Sequence, residues 1–217
     1  MKFSKFVFNG FGINTIIAWD QSTREAAVID PGNCDAEETA ALDSFIENNR
    51  LTITHLINTH MHLDHVMGAK HVIEKYDVKC EANPNDSFLG ERCPEQARLF
   101  GLPQKFTNIT IGKELHQGDI IRIGEGELKV LEVPGHSPGS IALYDEADNV
   151  VIVGDALFKG SIGRTDLAGG NYSTLIRSIK DKLLSLPDET VVIPGHGPET
   201  TIGYEKQHNP LIDLGTE

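Results

Sequence analysis

The chain has 217 residues, of which 39% are hydrophobic and 24% charged, and its formal net charge is −13. Such a length can bury a core without disulfides, and no apolar run reaches the roughly 18 residues of a membrane span. From the length and the lack of such a run, we expect a soluble single domain over residues 1–217 with no membrane partner. Because binding to a phosphate backbone depends on Lys and Arg, the negative net charge also predicts no nucleic-acid partner.

The first predicted elements are a β-hairpin and a helix. Residues 14–19 and 25–29 are β-rich runs on either side of a polar turn, which predicts the hairpin. Residues 36–48 show helical periodicity, and Asp35 is placed to cap that helix. The apolar residues that define its periodicity are Ala40, Ala41, Phe45 and Ile46.

The central part of the chain contains a cluster of His and Asp residues. A β-branched run at residues 51–57 leads into the cluster at residues 59–65, and residues 66–76 again have helical periodicity. The cluster is therefore predicted to lie at a strand-to-helix turn. Residues 84–110 mix short helical pieces with loop.

The second half of the chain returns to a β pattern. Four short strands are predicted at residues 120–123, 128–133, 140–144 and 150–153. An amphipathic helix follows at residues 171–184, where Leu175, Ile179 and Leu183 lie four residues apart, and a last strand spans residues 190–193. Strands and helices alternate in both halves, which predicts an α/β protein with a second sheet.

His60, His62, Asp64 and His65 are the first candidate metal ligands. An extended backbone projects residues 60, 62 and 64 to one side, and a change to helix at Asp64 returns His65 to the same space. Borderline divalent metals accept imidazole and carboxylate together. Four such groups within six positions therefore favour a site for two metals.

Two further histidines and an aspartate directly follow predicted strands. His136 and His196 each stand in a Pro-Gly-His segment, where Gly permits a positive φ or a close backbone approach that aims the imidazole inward. Asp155 ends a strand that reads as buried, where a metal would compensate its charge and its two oxygens could bridge two cations. The alternative for the two histidine segments is that they are simple Pro-Gly turns, and the alternative for Asp155 is that it caps the following turn.

The order and spacing of these segments resemble the metallo-β-lactamase superfamily. The segments are T-H-x-H-x-D-H at residues 59–65, P-G-H, a Gly-Asp strand end and P-G-H-G. Within that superfamily the chain is similar to the glyoxalase II (hydroxyacylglutathione hydrolase) branch. The segments that carry this closer similarity are V-I-D-P-G at 28–32, P-G-H-S-P-G-S at 134–140, G-D-A-L-F-K-G-S-I-G-R-T-D at 154–166 and P-G-H-G-P-E-T-T at 194–201.

The resemblance implies a fold, a ligand set and a cofactor. The fold is a four-layer αββα sandwich of two mixed sheets flanked by helices, with two divalent metals at one edge. Zn²⁺ is the usual occupant implied, with iron or manganese as alternatives, and Asp30 would brace the ligand loop. The implied ligands are His60, His62 and His136 for one metal, Asp64, His65 and His196 for the other, and Asp155 with a water as the bridge. Asp64 and Asp155 are the residues we expect to act in catalysis.

The implied reaction is hydrolysis of a small-molecule thioester, such as S-D-lactoylglutathione, to a hydroxy acid and a thiol. Arg164 falls where the family places a basic residue near the carboxylates of glutathione, and Lys159 is a second candidate for substrate contact. Members with a full glutathione site carry an additional C-terminal helical region. This sequence ends about twenty residues after His196, so we expect the short form.

Other activities of the same fold stay open as alternatives. A persulfide dioxygenase is implied to use one iron, held by residues matching His60, His136 and Asp155. A lactonase or β-lactamase would share all the metal ligands. The ligands do not distinguish these activities, because the loops around the metals decide which substrate is bound. A purely structural metal centre is disfavoured, since seven ligands for two ions leave coordination positions open.

The compartment is predicted from the cysteines and the N-terminus. Cys34, Cys80 and Cys93 contain no C-x-x-C pair and are expected to be reduced thiols. The polar pair Asn9 and Gly10 interrupts the N-terminal apolar stretch before it reaches the length of a signal peptide. We therefore expect a cytoplasmic protein.

Overall fold

The structure, a computed structural model, describes residues 1–103 and 105–213. The chain divides into two compact units, the first formed by Met1–Leu115 with Arg122–Gly126 and the second by His116–Ile121 with Glu127–Glu217. The single domain expected from the chain length stays a prediction. Within the described ranges, no helix is both long and apolar enough to cross a bilayer.

A six-stranded mixed sheet forms the base of the first unit. Its strands are β1 (Lys2–Phe8), β2 (Ile13–Trp19), β3 (Glu25–Ile29), β4 (Thr52–Ile57), β5 (Cys80–Ala82) and β6 (Lys113–Glu114), in that order across the sheet. The pairs β1–β2 and β2–β3 are antiparallel, and β3 to β6 are parallel. The predicted hairpin is confirmed as β2 and β3, in which the buried Ile17 lies opposite the buried Val28.

The helices of the first unit include the predicted one at residues 36–48. They are α1 (Ala36–Asn48), α2 (Leu63–Val66), α3 (Ala69–Tyr76), α4 (Ser87–Gly90) and α5 (Cys93–Leu99). The Asp35 carboxylate accepts a hydrogen bond from Glu38 N at 2.9 Å, so the predicted cap is confirmed. The buried residues of α1 are Leu42 and Ile46, whereas Ala40 and Ala41 are exposed. The larger side chains are buried because they remove more apolar area from water.

The helical periodicity predicted over residues 66–76 is confirmed for Val66 and Ala69–Tyr76, but residues 67–68 are not helical. The chain forms two helices, α2 and α3, separated at residues 67–68. Gly68 N donates to the carbonyl of Pro31 at 2.8 Å, so this amide is bonded outside the helix. A Cβ at Gly68 would lie 1.9 Å from Asn33 Oδ1, so only glycine allows the loop after β3 to approach this closely.

A second mixed sheet has most of its residues in the second unit. Its strands are β7 (Ile120–Ile123), β8 (Gly126–Glu132), β9 (Ile141–Asp145), β10 (Val150–Gly154), β13 (Val191–Pro194) and β14 (Thr200–Thr201), while β11 (Leu157–Phe158) and β12 (Ser161–Ile162) form a separate hairpin. The spatial order is β14-β13-β10-β9-β8-β7. The pair β10–β13 is parallel, and β9 is antiparallel to both β8 and β10.

The predicted helix at residues 171–184 is confirmed, with a change of helix type inside it. It is α-helical as α6 (Tyr172–Ser178), capped by Asn171, and continues as a π-helical turn over Ile179–Leu183. The buried side chains of Leu175, Ile179 and Leu183 belong to the same apolar cluster as those of β10. Two further helices follow β14, α7 (Ile202–His208) and α8 (Pro210–Asp213).

Candidate metal centre

The first unit brings four predicted ligands together directly after β4. The ring centroids of His60 and His62 are 4.8 Å apart, and those of His60 and His65 are 3.9 Å apart. Asp64 Oδ2 lies 3.9 Å from His65 Nε2. All three histidines are buried. The cluster therefore offers three imidazoles and a carboxylate in one small volume.

The backbone of this cluster differs from the prediction by one residue. His62 is extended, with φ −65° and ψ 149°, and helix α2 begins at Leu63 rather than at Asp64. Leu63 N donates to Gln96 Oε1 of α5 at 3.0 Å, which satisfies an amide that a helix N-terminus leaves without an internal partner. Asp64 and His65 consequently both lie in the first turn of α2.

Asp30 contacts the cluster from the end of β3. Its Oδ2 is 3.0 Å from His65 Nδ1, and its two oxygens accept from Thr59 N at 2.7 Å and Thr59 Oγ1 at 2.6 Å. A carboxylate at Nδ1 favours the tautomer that carries its proton there, which leaves Nε2 with a lone pair. The side chain predicted to brace the ligand loop is thus in direct contact with a candidate ligand and with the segment before it.

Asn9 is a positioning residue that sequence reasoning missed. Its Nδ2 donates to the carbonyl of Gly32 at 2.9 Å and to that of Asp64 at 3.3 Å, while its backbone N donates to Glu38 Oε1 at 2.5 Å. Asn9 has a left-handed φ of 51°, which Asn tolerates better than most residues. The Asn-Gly pair in the sequence signals a turn, but it carries no sign of contact with residues far along the chain.

The second unit brings the remaining three predicted ligands together. Asp155 Oδ2 lies 3.6 Å from His136 Nε2 and 3.6 Å from His196 Nε2. Asp155 follows β10 and His196 follows β13, and these parallel neighbours have Gly154 paired with Pro194. Because the carboxyl ends of adjacent parallel strands meet at one sheet edge, both side chains are delivered to the same place.

His136 is oriented by a main-chain oxygen. Its Nδ1 is 2.8 Å from the carbonyl of Arg164, so Nδ1 donates this hydrogen bond and Nε2 faces Asp155. Gly135 has a φ of 136°, and a Cβ there would lie 2.3 Å from Leu175 N, as predicted for a glycine in close approach. In the second Pro-Gly-His segment, Gly195 does not have a positive φ. The glycine with a positive φ is Gly197, directly after His196, at 75°.

The donor atoms of both clusters fit divalent metal ions. The 3.6 Å separations around Asp155 Oδ2 exceed hydrogen-bond length. They are close to the roughly 3.3 Å that separates two ligands bound at 2.0–2.1 Å in a tetrahedral site. Nitrogen donors with one or two carboxylates are also the ligand types that zinc and iron accept.

The two predicted substrate residues differ in their partners. The exposed Arg164 guanidinium binds Asp166 through two hydrogen bonds of 2.7 Å, Nε to Oδ1 and Nη2 to Oδ2. The hydrogen bond from Arg164, aided by a backbone amide, lowers the pKa of Asp166 to about 2. Lys159 Nζ instead lies 5.4 Å from the ring centroid of Tyr204.

Comparisons with known proteins agree on one family. The profile of the Metallo-beta-lactamase superfamily matches residues 9–196. Hydroxyacylglutathione hydrolase GloC of Haemophilus influenzae is 40% identical over 204 residues, which cover 94% of each chain.

Solved structures with the same fold include three at more than 30% identity. BLEG-1 B3 metallo-beta-lactamase has a TM-score of 0.88 at 34% identity over 100% of both chains. TTHA1623 in a di-iron-bound form has a TM-score of 0.82 at 35% identity, and the match covers 95% of this chain and 98% of that chain. ETHE1 from Myxococcus xanthus has a TM-score of 0.77 at 31% identity, and the match covers 97% of this chain and 84% of that chain. The predicted fold, α/β with two mixed sheets and flanking helices, is confirmed. The chain belongs to the metallo-β-lactamase superfamily.

Proposed function

We propose that this metallo-hydrolase cleaves thioesters such as S-D-lactoylglutathione to a hydroxy acid and a thiol. The observation that carries the proposal is Asp155 Oδ2, which lies 3.6 Å from the Nε2 atoms of both His136 and His196. One carboxylate oxygen equidistant from two imidazoles, beyond hydrogen-bond length, is suited to bridge two cations. The similarity to a hydroxyacylglutathione hydrolase at 40% identity supports the choice of substrate class.

The proposed centre has the ligand set that the family resemblance implies. Its ligands would be His60, His62 and His136 for one metal, Asp64, His65 and His196 for the other, and Asp155 for both. Zinc is our first candidate, and iron and manganese are the alternatives. The di-iron form of a relative at 35% identity supports iron as one of them.

The bound metals would supply an activated water at neutral pH and charge stabilisation for the developing oxyanion. The chain's own residues hold the ligand atoms ready for this. Asp30 lies at His65 Nδ1 and the Arg164 carbonyl at His136 Nδ1, so in the neutral imidazoles a proton on Nδ1 leaves both Nε2 atoms with the lone pair that a metal needs. A thiolate with a conjugate-acid pKa near ~8.5 leaves without a general acid, which suits a site whose carboxylates are all ligands or hydrogen-bond acceptors.

The test is a thioesterase assay with S-D-lactoylglutathione on protein whose metal content has been quantified. We expect Asp155→Ala to lose metal and at least about 100-fold in kcat/KM, because the shared ligand is removed. The matched control is Asp181→Ala, which removes an exposed carboxylate of the same unit. Asp155→Ala protein that loses metal and keeps its activity would contradict the proposal.

β-Lactam hydrolysis is a second candidate, favoured by the TM-score of 0.88 with a B3 metallo-beta-lactamase. A chromogenic cephalosporin assayed on the same preparation tests it, and turnover of that compound without thioester turnover would replace our first proposal. One bound iron, with oxygen consumption on glutathione persulfide, would instead favour the dioxygenase alternative.

The free thiols of Cys34, Cys80 and Cys93 support a reducing, cytoplasmic compartment for this enzyme.

A further inference from the structure

Lys159 stands in the two-residue turn of the β11–β12 hairpin. The neighbouring Gly160 has a φ of 68°, and the exposed Lys159 side chain places its Nζ 5.4 Å from the ring centroid of Tyr204 in α7. In the part of the chain that the structure describes, this ammonium has the ring as its partner and makes no ion pair or hydrogen bond. Arg164, the other predicted substrate residue, is held by Asp166.

A cavity of about 350 Å³ opens beside this lysine. Its lining residues are Lys159, Val191, Glu199, Thr200, Thr201 and Tyr204. The cavity is therefore lined by one cation, one carboxylate and three hydroxyl groups, one of which is on the aromatic ring of Tyr204. A cation and a carboxylate in one cavity complement a zwitterion, such as the α-amino-acid end of a ligand.

A buried carboxylate holds the two walls of this cavity together. Glu205 is fully buried, and its oxygens accept from Gly160 N at 3.0 and 3.2 Å and from Thr200 Oγ1 at 2.6 Å. Asn209 Nδ2 donates to the same carboxylate at 2.7 Å. Because one side chain bonds both the Lys159 turn and β14, these walls are fixed relative to each other before a ligand arrives.

The cavity borders the loop of a proposed metal ligand. Phe158, directly before Lys159, has its ring centroid 6.3 Å from that of His196, and Glu199 lies three residues after His196. Phe158 and Glu199 therefore place the cavity next to the chain segment that carries His196.

We propose that this cavity is the subsite for the thiol half of the substrate, and that it selects thiols ending in an α-amino-acid group. Lys159 binds the carboxylate of that group above the Tyr204 ring, and Glu199 binds its ammonium. The inference rests on the proposed thioesterase function, because it assigns one end of that substrate. Lys159, and not Arg164, is then the cation that recognises the thiol.

The first experiment compares two thioesters with the same acyl group, S-D-lactoylglutathione and S-D-lactoyl-N-acetylcysteamine, whose thiol is uncharged. We expect Lys159→Ala to raise KM for the glutathione thioester about tenfold, the factor that one charge-assisted hydrogen bond supplies, with kcat unchanged. KM for the neutral thioester should stay the same, and Lys159→Arg should restore most of the difference. Lys129→Ala, an exposed lysine of β8, is the matched control.

Glu199→Gln tests the other charge. We expect it to raise KM for S-D-lactoylglutathione but not for the same thioester with its amino group acetylated. An equal change of KM for both members of either pair, or no change in the Lys159→Ala and Glu199→Gln variants, would overturn the subsite.

Calorimetric titration with glutathione separates this inference from the proposed reaction. Wild-type protein that binds glutathione, with binding lost in Lys159→Ala, supports the subsite even where no thioester is hydrolysed. Wild-type protein that hydrolyses both thioesters but binds glutathione no better than Lys159→Ala refutes the subsite and leaves the hydrolase standing.

Discussion

Two candidate ligand imidazoles are each oriented by an oxygen atom at Nδ1. For His65 the oxygen belongs to the Asp30 carboxylate at 3.0 Å, and for His136 it is the main-chain carbonyl of Arg164 at 2.8 Å. The first is open to substitution, whereas the second is part of the backbone. A variant of Asp30 therefore isolates what such an oxygen contributes.

We expect Asp30→Ala to lower metal affinity about 10–100-fold, the usual cost of losing a partner of a ligand histidine. His65 would lose the carboxylate at Nδ1, and Thr59 would lose two hydrogen bonds. Chelator competition on purified protein measures the affinity.

Asp20→Ala is the control for Asp30→Ala. Its carboxylate accepts from Glu125 N at 2.6 Å and Ser22 N at 2.7 Å, and these backbone hydrogen bonds lower its pKa to about 2. Asp20 is thus an aspartate of the same unit that bonds backbone amides away from the histidines. Equal losses of metal affinity in both variants would assign the effect to general destabilisation.

At the scale of elements, the break between α2 and α3 joins the ligand helix to the loop after β3. Gly68 N bonds the carbonyl of Pro31, and Asn33 Nδ2 bonds Thr39 Oγ1 of α1 at 2.9 Å. Asn9 adds a further tie between that loop and Asp64. The short α2, four residues long, is therefore held mainly by contacts outside itself.

Gly68→Ala should lower the free energy of unfolding by about 1–3 kcal/mol, the usual cost of overpacking. The added Cβ would lie 1.9 Å from Asn33 Oδ1, and Gly68 is the N-cap of α3, a position where alanine is less favourable than glycine. Urea denaturation measures the change. Adding Asn33→Ala removes the clashing oxygen, so the double variant should lose less than the sum of the two single variants. A stabilised Gly68→Ala protein would show that α2 and α3 can merge without cost.

For the whole molecule, stability should fall in acid partly through Glu81 of β5. Burial opposes ionisation of this carboxyl, but hydrogen bonds from His55 and Lys113 outweigh it and hold its pKa below the usual range. The distances are 2.5 Å to His55 Nδ1 and 2.6 Å to Lys113 Nζ. A carboxyl with a depressed folded-state pKa stabilises the protein above its unfolded pKa, near ~4.3, and this contribution is lost as pH falls through the folded value.

We therefore expect Glu81→Gln to lower the free energy of unfolding at pH 7 and to flatten its fall below about pH 4.3. Urea denaturation at pH 7, 5, 4 and 3.5 measures both effects. Glu74→Gln is the control, because Glu74 is a solvent-exposed partner of Lys70 at 3.8 Å. Parallel pH profiles for the wild type and Glu81→Gln would contradict this account.

Local patterns were sufficient for α1, α6 and the β2–β3 hairpin, because capping and hydrophobic periodicity act within a few residues. Local patterns were also sufficient to identify the types of the ligand residues. Imidazoles and carboxylates in a dense cluster, or directly after strands, indicate metal binding independently of the rest of the sequence. The family signature added the order of those segments along the chain. Strand β1 was missed because its KFSKFVF sequence has only a weak alternation and its pairing is provided by β2.

Tertiary structure decided what depends on partners distant along the chain. Gln96 sets the start of α2, Pro31 and Asn33 set its end, and Asn9 ties Asp64 to the turn between β1 and β2. Likewise Glu205 fixes the turn that carries Lys159. Hydrogen bonds between residues separated by tens of positions leave no periodic trace in a sequence, so only the tertiary structure decided the orientation of these side chains. The sequence by itself determined the kind of chemistry, because that depends on the types of the ligand residues.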